Sequence, residues 1–192
     1  MLQTLVEQVV TQDAQYAPFT LLGLEARYAG KLSPRPFYLS NGKKIALGGT
    51  IDRIDQQDNI IRIIDYKTGT FTRKVDSIAS LFDPTNPARN RTAFQLFYYA
   101  WLYTKQHNLA ESTSIMPTVI TTRNAWYPSQ EVSFCFPPND DGHTTVYDMA
   151  PYLFPFEQRL RKVMDDIFNP STPFRRTVQA HAPHAACQEV FF

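Results

Sequence analysis

Hydrophobic positions recur along this chain with two different periods, and the change from one period to the other marks the predicted elements. Apolar residues spaced three or four apart predict amphipathic helices, while short runs of β-branched and aromatic residues predict strands. The predicted helices are 1–11, 92–106 and 152–168, the last ended by Pro170. The predicted strands are 19–28, 36–39, 46–55, 59–67, 115–121 and 131–136.

The order of these elements predicts an α/β fold with a mixed sheet, because strands are followed by a helix and then by more strands. Residues 19–67 are expected to form an antiparallel meander that includes the turn Asn41-Gly42. Loops are expected at Trp126-Tyr127-Pro128 and at 137–142. At 192 residues the chain is long enough for one well-buried domain. We expect this domain to span 1–170, with a C-terminal tail at 171–192.

The most informative segment is the predicted hairpin of strands 46–55 and 59–67, joined by the polar turn Gln56-Gln57-Asp58. Folding about Gln57 brings positions 52–55 opposite roughly 60–63, so Asp52 lies within reach of the strand end at Asp65. Side chains alternate across a strand, so Asp65 and Lys67 emerge on one face and Tyr66 on the other.

Two carboxylates beside an ammonium group are typical of a Mg²⁺ or Mn²⁺ site, since these ions take one or two protein carboxylates together with waters and phosphate oxygens. The lysine can orient a metal-bound water or stabilise developing negative charge. The alternative is an amphipathic hairpin with solvated charges. Asp65 favours the site, because it directly follows the apolar residues Ile60, Ile61, Ile63 and Ile64, where an unpaired charge is costly.

Three sequence blocks in order resemble the RecB-like branch of the PD-(D/E)XK nuclease superfamily, the C-terminal nuclease domain of helicase-exonuclease proteins. These blocks are Gly49-Thr50-Ile51-Asp52-Arg53-Ile54-Asp55, Ile64-Asp65-Tyr66-Lys67-Thr68-Gly69 and Gln95-Leu96-Phe97-Tyr98-Tyr99-Ala100. The resemblance implies a restriction-endonuclease-like core, with a mixed central β-sheet flanked by helices.

The resemblance also implies roles for individual residues. Asp52, Asp65 and Lys67 correspond to the family's metal and catalytic residues. Gln95 and Tyr99, four apart on one helical stripe, would contact DNA or support the active site. Two further metal ligands are considered, namely the backbone carbonyl of Tyr66 and the carboxylate of Glu25. The alternative for Glu25 is an exposed residue on an edge strand, and the alternative for Tyr99 is core packing.

DNA binding would have to come from a local patch, because the net charge is only +1. The basic residues near the predicted site are Arg73, Lys74, Arg89 and Arg91, and a further pair stands at Arg175 and Arg176. Each of these pairs can also be ordinary surface charge. The segment between the hairpin and the central helix is either a flap over DNA or contains a short helix at 76–82.

The chain departs from its relatives in two ways. They commonly have a metal-binding histidine on a helix upstream, whereas the first histidine here is His107. Either the chain is a fragment or it uses other groups. Several relatives also hold an iron-sulfur cluster with four cysteines. Only His181, His184 and Cys187 stand at the corresponding place, so no cluster is expected.

We therefore expect a Mg²⁺-dependent (or Mn²⁺-dependent) DNA exonuclease of DNA repair or recombination, the nuclease module of a larger helicase-nuclease. The alternative is a catalytically inactive DNA-binding or scaffold module of the same fold. A third hypothesis, an unrelated ligand-binding α/β domain, predicts that Asp52, Asp65 and Lys67 lie far apart. DNA and a helicase module or subunit are the expected partners. No membrane segment or signal peptide is visible, and Cys135 and Cys187 have no disulfide spacing, so we expect a cytoplasmic protein.

Overall fold

The computed structural model describes residues 2–28, 36–69, 72–86, 89–110, 112–121, 131–132, 134–136 and 144–174. Its helices are α1 (Leu2–Tyr16), α2 (Arg91–Gln106) and α3 (Ala150–Ile167), with a short 3₁₀ helix at Ala79–Phe82. Its strands are β1 (Thr20–Tyr28), β2 (Phe37–Tyr38), β3 (Lys44–Ile45), β4 (Gly49–Gln57), β5 (Ile60–Lys67), β6 (Ser114–Thr121), β7 (Glu131–Val132), β8 (Cys135–Phe136) and β9 (Thr144–Thr145).

The main sheet has five strands in the order β1-β4-β5-β6-β7. β5 and β6 run parallel, while the other neighbouring pairs are antiparallel, so the sheet is mixed. The parallel pair is joined by a crossover containing α2, as parallel strands require. A mixed central sheet flanked by helices confirms the predicted restriction-endonuclease-like fold class.

Two details of the predicted strand arrangement are wrong. β2 and β3 form a separate two-stranded sheet and do not join the meander, because each is only two residues long and pairs only with the other. The turn between them is present, with Gly42 at a φ of 79° that suits glycine. The predicted strand at 131–136 is divided between β7, in the main sheet, and β8, which pairs with β9.

The turn of the β4–β5 hairpin is tighter than predicted and lies one residue further along the chain at its end. Gln56 and Gln57 belong to β4, and the turn falls at Asp58 and Asn59, with Asp58 at a φ of 51°. Pairing of Gln57 with Ile60 shifts the register by two residues from the predicted one. A shift of two residues preserves which side chains share a face, so Asp52 and Asp65 stay on the same face of the hairpin.

The hydrophobic core lies between the sheet and helices α2 and α3. α2 begins at an N-cap, Asn90, whose side chain accepts a hydrogen bond from the backbone of Ala93. Both helices and the sheet supply buried residues to this core. They include Leu96, Phe97 and Ala100 of α2, Phe156 and Leu160 of α3, and Ile51, Ile54, Ile61 and Ile63 of the sheet.

A buried ionic network ties α1 to the hairpin. Asp55 and Arg62 are both 0% exposed, and Arg62 Nε donates to Asp55 Oδ1 at 2.7 Å. Arg53 bridges Asp55 and Asp13 of α1, at 2.8 and 2.7 Å. The guanidinium of Arg62 also stacks 3.4 Å from the ring centroid of Tyr16 in α1. Because both arginines have carboxylate partners, the network can be buried at acceptable cost.

Several predicted features lie outside the described residues. These are the turn at Trp126-Tyr127-Pro128, the loop at 137–142, the pair Arg175 and Arg176, and the tail residues His181, His184 and Cys187. Within the described ranges no helix is both long and apolar enough to cross a membrane.

Candidate active site

Asp65 and Lys67 stand at the carboxyl end of β5 and contact each other. The Lys67 ammonium lies 2.7 Å from Asp65 Oδ2. Asp65 is only 1% exposed because β5 is a central strand, with β4 on one side and β6 on the other. The alternation predicted from the sequence therefore brings an acid and a base together at a buried strand end.

Asp52 completes a pair of carboxylates. The last residues of β4 and β5 that pair are Arg53 and Ile64, and Asp52 comes one residue beyond them. There its Oδ2 accepts a hydrogen bond from the backbone N–H of Tyr66 at 2.9 Å. This hydrogen bond holds the Asp52 side chain beside the segment that carries Asp65 and Lys67.

The environment of Asp65 favours its protonated form. Burial raises the pKa of Asp65 above its usual value, the hydrogen bond and charge of Lys67 act in the opposite direction, and the charge of Asp52 raises it further. The two aspartates therefore interact electrostatically across the hairpin. A cation between them would relieve the unfavourable burial of their charge.

Gln95 and Tyr99 extend this pair into α2. The Lys67 ammonium donates to Gln95 Oε1 at 2.9 Å, and Gln95 Nε2 donates to the Tyr99 hydroxyl at 3.1 Å. The amide of Gln95 thus has partners for both its acceptor and its donor groups, as a half-buried amide needs. A continuous chain of contacts runs from Asp65 through Lys67 and Gln95 to Tyr99.

Tyr98 and Gly49 support this series of contacts, and sequence reasoning missed the role of both. Tyr98 donates through its hydroxyl to the backbone carbonyl of Gly48 at 2.9 Å. A Cβ added at Gly49 would lie 3.1 Å from the ring of Tyr99, so glycine allows close packing of α2 on the start of β4. For Gly49, the signal available in the sequence was the glycine pair Gly48-Gly49 at the start of β4.

Tyr66 is placed between the two site residues of β5 and points to the other side, as predicted. Its hydroxyl lies 3.4 Å from Arg53 Nη1, within the network that holds α1. Its backbone N–H is the group that binds Asp52. The proposed metal-binding role of its carbonyl stays a prediction.

Glu25 lies in β1 at the register position of Asp52, since the neighbouring pairs are Leu24 with Arg53 and Ala26 with Ile51. It is exposed and has a φ of 47°, which is unusual for a residue other than glycine. Among the residues that the structure describes, no group of three or more Asp, Glu, His or Cys side chains is placed to hold a metal ion. The role of Glu25 as an additional ligand therefore stays a prediction.

The predicted basic residues lie around the N-terminus of α2: Arg89 and Arg91 flank its N-cap, and Arg73 and Lys74 lie in the segment after β5. Asn90, the N-cap of α2, donates to the backbone carbonyls of Thr72 and Lys74 at 2.5 and 3.1 Å, which ties the segment after β5 to this helix. Sequence reasoning missed this role of Asn90, although an asparagine before a helix is a recognised N-cap signal. Arg73, Lys74, Arg89 and Arg91 are all exposed, and Lys74 forms an ion pair with Asp76 at 3.3 Å.

The donor set fits a hard divalent cation. Asp52 and Asp65 place carboxylate oxygens at two neighbouring strand ends, where they could bind such an ion, and burial raises the pKa of Asp65 above its usual value. Two carboxylates suffice for Mg²⁺, which keeps several waters and usually shares substrate phosphate oxygens.

The sequence matches the profile of the PD-(D/E)XK nuclease superfamily over residues 1–189. The chain belongs to this superfamily. PD-(D/E)XK nucleases act with divalent metal ions, in agreement with the two carboxylates and the lysine that β4 and β5 bring together.

The chain is also similar to a set of curated relatives, each described as a subunit of an ATP-dependent helicase/deoxyribonuclease. It is 37% identical over 71 residues to the protein of Bacillus subtilis (strain 168), covering 34% of this chain and 6% of the relative. It is 28% identical over 119 residues to that of Clostridium acetobutylicum, covering 59% of this chain and 10% of the relative. The chain thus spans a tenth or less of the length of these relatives.

Proposed function

We propose that this PD-(D/E)XK domain is a Mg²⁺-dependent deoxyribonuclease that hydrolyses phosphodiester bonds. The observation that carries the proposal is the contact between Asp65 and Lys67 at 2.7 Å, with Asp52 held against the same strand end. Mn²⁺ is the alternative ion, since both take oxygen ligands.

Each residue of the site has a separate role in this reaction. Asp52 and Asp65 would hold the cation, which when bound supplies Lewis acidity toward the phosphate and lowers the pKa of a bound water. Lys67 positions the attacking water and stabilises negative charge that builds on the phosphate oxygens. The water oxygen forms a new bond to phosphorus and releases one proton to solvent, while the bond from phosphorus to one sugar oxygen breaks and that sugar oxygen takes up one proton.

Gln95 and Tyr99 orient the lysine. Lys67 has a flexible side chain, and the two contacts, with Asp65 and with Gln95, restrict where its ammonium can lie. The hydrogen bond from Gln95 to Tyr99 in turn fixes the amide. Helix α2 thus holds the long, flexible side chain of Lys67 in place through Gln95 and Tyr99.

The wider role is also a proposal. The similarity to helicase/deoxyribonuclease subunits supports DNA as the substrate and a helicase module or subunit as the partner, in DNA repair or recombination. Exonuclease action would follow if DNA ends are delivered to the site by such a helicase. Phosphate contacts would dominate binding, so sequence preference should be weak and salt dependence strong.

One observation favours a second candidate, a catalytically inactive DNA-binding or scaffold module. The described residues contain no third acidic or histidine side chain gathered with Asp52 and Asp65. A member with a reduced set of ligands could retain the fold and its binding surface without turnover.

The test is hydrolysis of end-labelled linear DNA, with circular DNA in parallel, in Mg²⁺ or Mn²⁺. We expect the wild-type chain to release nucleotides from linear DNA, and Asp65→Ala and Lys67→Ala to lower the rate by about 10²-fold or more. Asp166→Ala and Lys44→Ala, in exposed positions of α3 and β3, are the matched controls and should keep the wild-type rate. A wild-type chain that binds DNA but releases no nucleotides with either ion would establish the scaffold function.

A further inference from the structure

A cavity of about 250 Å³ opens beside the first turn of α2, between the 3₁₀ helix and α3. Six of its described lining residues are apolar and the other two are arginines. They are Leu81, Phe82, Phe94, Leu160, Val163 and Met164, with Arg89 and Arg91. We call this cavity the arginine pocket.

The arginine pocket combines two chemistries that a nucleotide requires. The rings of Phe82 and Phe94 lie 5.2 Å apart in an edge-to-face arrangement and form an aromatic wall. Both arginines are exposed, and a guanidinium binds phosphate with two parallel hydrogen bonds. An apolar protein segment would use the wall but would have no need for two cations.

The size of the pocket limits its occupant. Cavities that hold whole drug-sized ligands range from roughly 300 to 1,000 Å³. The arginine pocket, at about 250 Å³, suits one planar ring system. Among the described lining residues, only the two arginines carry strong hydrogen-bonding groups, so a base would be held by stacking whatever its identity.

The arginine pocket is also close to the proposed catalytic residues. Arg91 and Gln95 are four residues apart on α2, so they share a stripe and are separated by roughly 6 Å along the helix axis. Gln95 is the residue that binds the Lys67 ammonium. A strand whose phosphate is bound at Arg91 would therefore continue directly toward Lys67.

We propose that the arginine pocket receives one unstacked base of a DNA single strand, with Arg89 and Arg91 binding the adjacent phosphate. This inference rests on the proposed action on DNA and adds to it a site that holds the strand beside the cleavage position. It requires the substrate strand to be single-stranded at that point, because a base within a duplex would have to give up its pairing and stacking to enter the pocket.

The test measures binding of short DNA single strands in EDTA, so that no hydrolysis occurs. One strand is intact, and a series of otherwise identical strands each lacks one base at a different position. For the wild-type chain we expect a loss of affinity of about tenfold when the missing base is the one that enters the pocket, and little change elsewhere.

Met164→Trp fills the pocket from α3 without removing either arginine. We expect it to bind the intact strand about tenfold more weakly and to show no further loss with the strand that lacks the critical base. Ile167→Trp adds the same bulk on α3 at a position that is 42% exposed and outside the pocket lining, so it should bind as wild type. The double substitution Arg89→Ala with Arg91→Ala should lower the affinity and its salt dependence, which keeps the test informative if the tryptophan variant is unstable.

The outcomes separate this inference from the proposed function. If Met164→Trp binds every strand as tightly as wild type while the wild type still degrades DNA, the pocket takes no base and the inference is wrong. The same conclusion follows if the wild-type chain binds no single strand. If the pocket variants weaken binding but the wild type hydrolyses nothing in Mg²⁺ or Mn²⁺, the base site stands and the nuclease proposal fails.

Discussion

Asp65 combines strong burial with a charge that its proposed task requires. Burial raises its pKa, and Lys67 offsets only part of that increase. An acid in this state is unfavourable for folding and favourable for binding a cation. Functional residues often carry such a cost in stability.

We expect Asp65→Asn to raise the stability of the metal-free protein. The pKa of Asp65 is higher in the folded than in the unfolded chain, so its contribution to stability is full below the unfolded pKa and is lost as pH rises through the folded pKa. Asparagine cannot ionise, so its contribution to folding stability does not change with pH. Thermal unfolding in EDTA should show the variant a few degrees more stable than wild type at pH 8.

That difference should shrink as the pH falls toward 4, because Asp65 then becomes protonated in the wild type. Asp166→Asn, at an exposed position of α3, is the control. Its unfolding temperature should stay close to that of wild type at both pH values. A variant less stable than wild type at pH 8 would show that the Lys67 ion pair outweighs the cost of burial.

Among the side chains that the structure describes, those of α1 use ionic contacts with the main sheet more than those of α2 and α3 do. Asp13 and Tyr16 of α1 contact Arg53 and Arg62 of the hairpin. Both arginines are buried in β4 and β5, together with Asp55. α2 and α3, by contrast, bury apolar side chains in the core. The face of the hairpin opposite the active site is thus held by charge.

We expect Asp55→Ala to destabilise the fold by about 3–5 kcal/mol, because it leaves two buried arginines without their shared carboxylate. The matched control is Asp76→Ala, which breaks an ion pair with Lys74 in which both side chains are 60% exposed. Such a surface pair contributes about 0–1 kcal/mol. Urea unfolding of the two variants measures the difference, and equal losses would mean that the buried network adds no stability.

The element predictions agreed with the structure for most long patterns and failed for short ones, and α1 extends five residues beyond its predicted end at 11. The helix at α2 was predicted to within one residue, because its apolar residues cover four turns. The sequence did not distinguish one strand at 131–136 from two short ones, and it did not separate β2 from the main sheet. Short strands carry too few residues to show alternation, and their partners are chosen by distant segments.

At the scale of the whole molecule, the described core is complete before the end of α3. Its last fully buried apolar residue is Leu160, with Met164 packed against the cluster. The division into a domain at 1–170 and a tail at 171–192 stays a prediction, since the described residues end at Phe174.

We expect a chain ending at Phe174 to unfold within about 2 °C of the full chain, since it keeps every residue of the described core. Circular dichroism melts of the two chains measure this directly. A control ending at 159 removes Leu160 and Met164 and should unfold at a much lower temperature. A large loss on removing 175–192 alone would place part of the domain in that segment.

The sequence by itself determined which side chains of the candidate site share a face. Strand alternation placed Asp65 and Lys67 on one face, and helical spacing placed Gln95 and Tyr99 on one stripe, because both periods are local properties of the backbone. Only the tertiary structure decided that Gln95 meets Lys67, that Gly49 admits Tyr99, and that Arg62 is buried with Asp55. Those contacts join segments distant in sequence or depend on the exact register, and burial and packing of the whole fold select them.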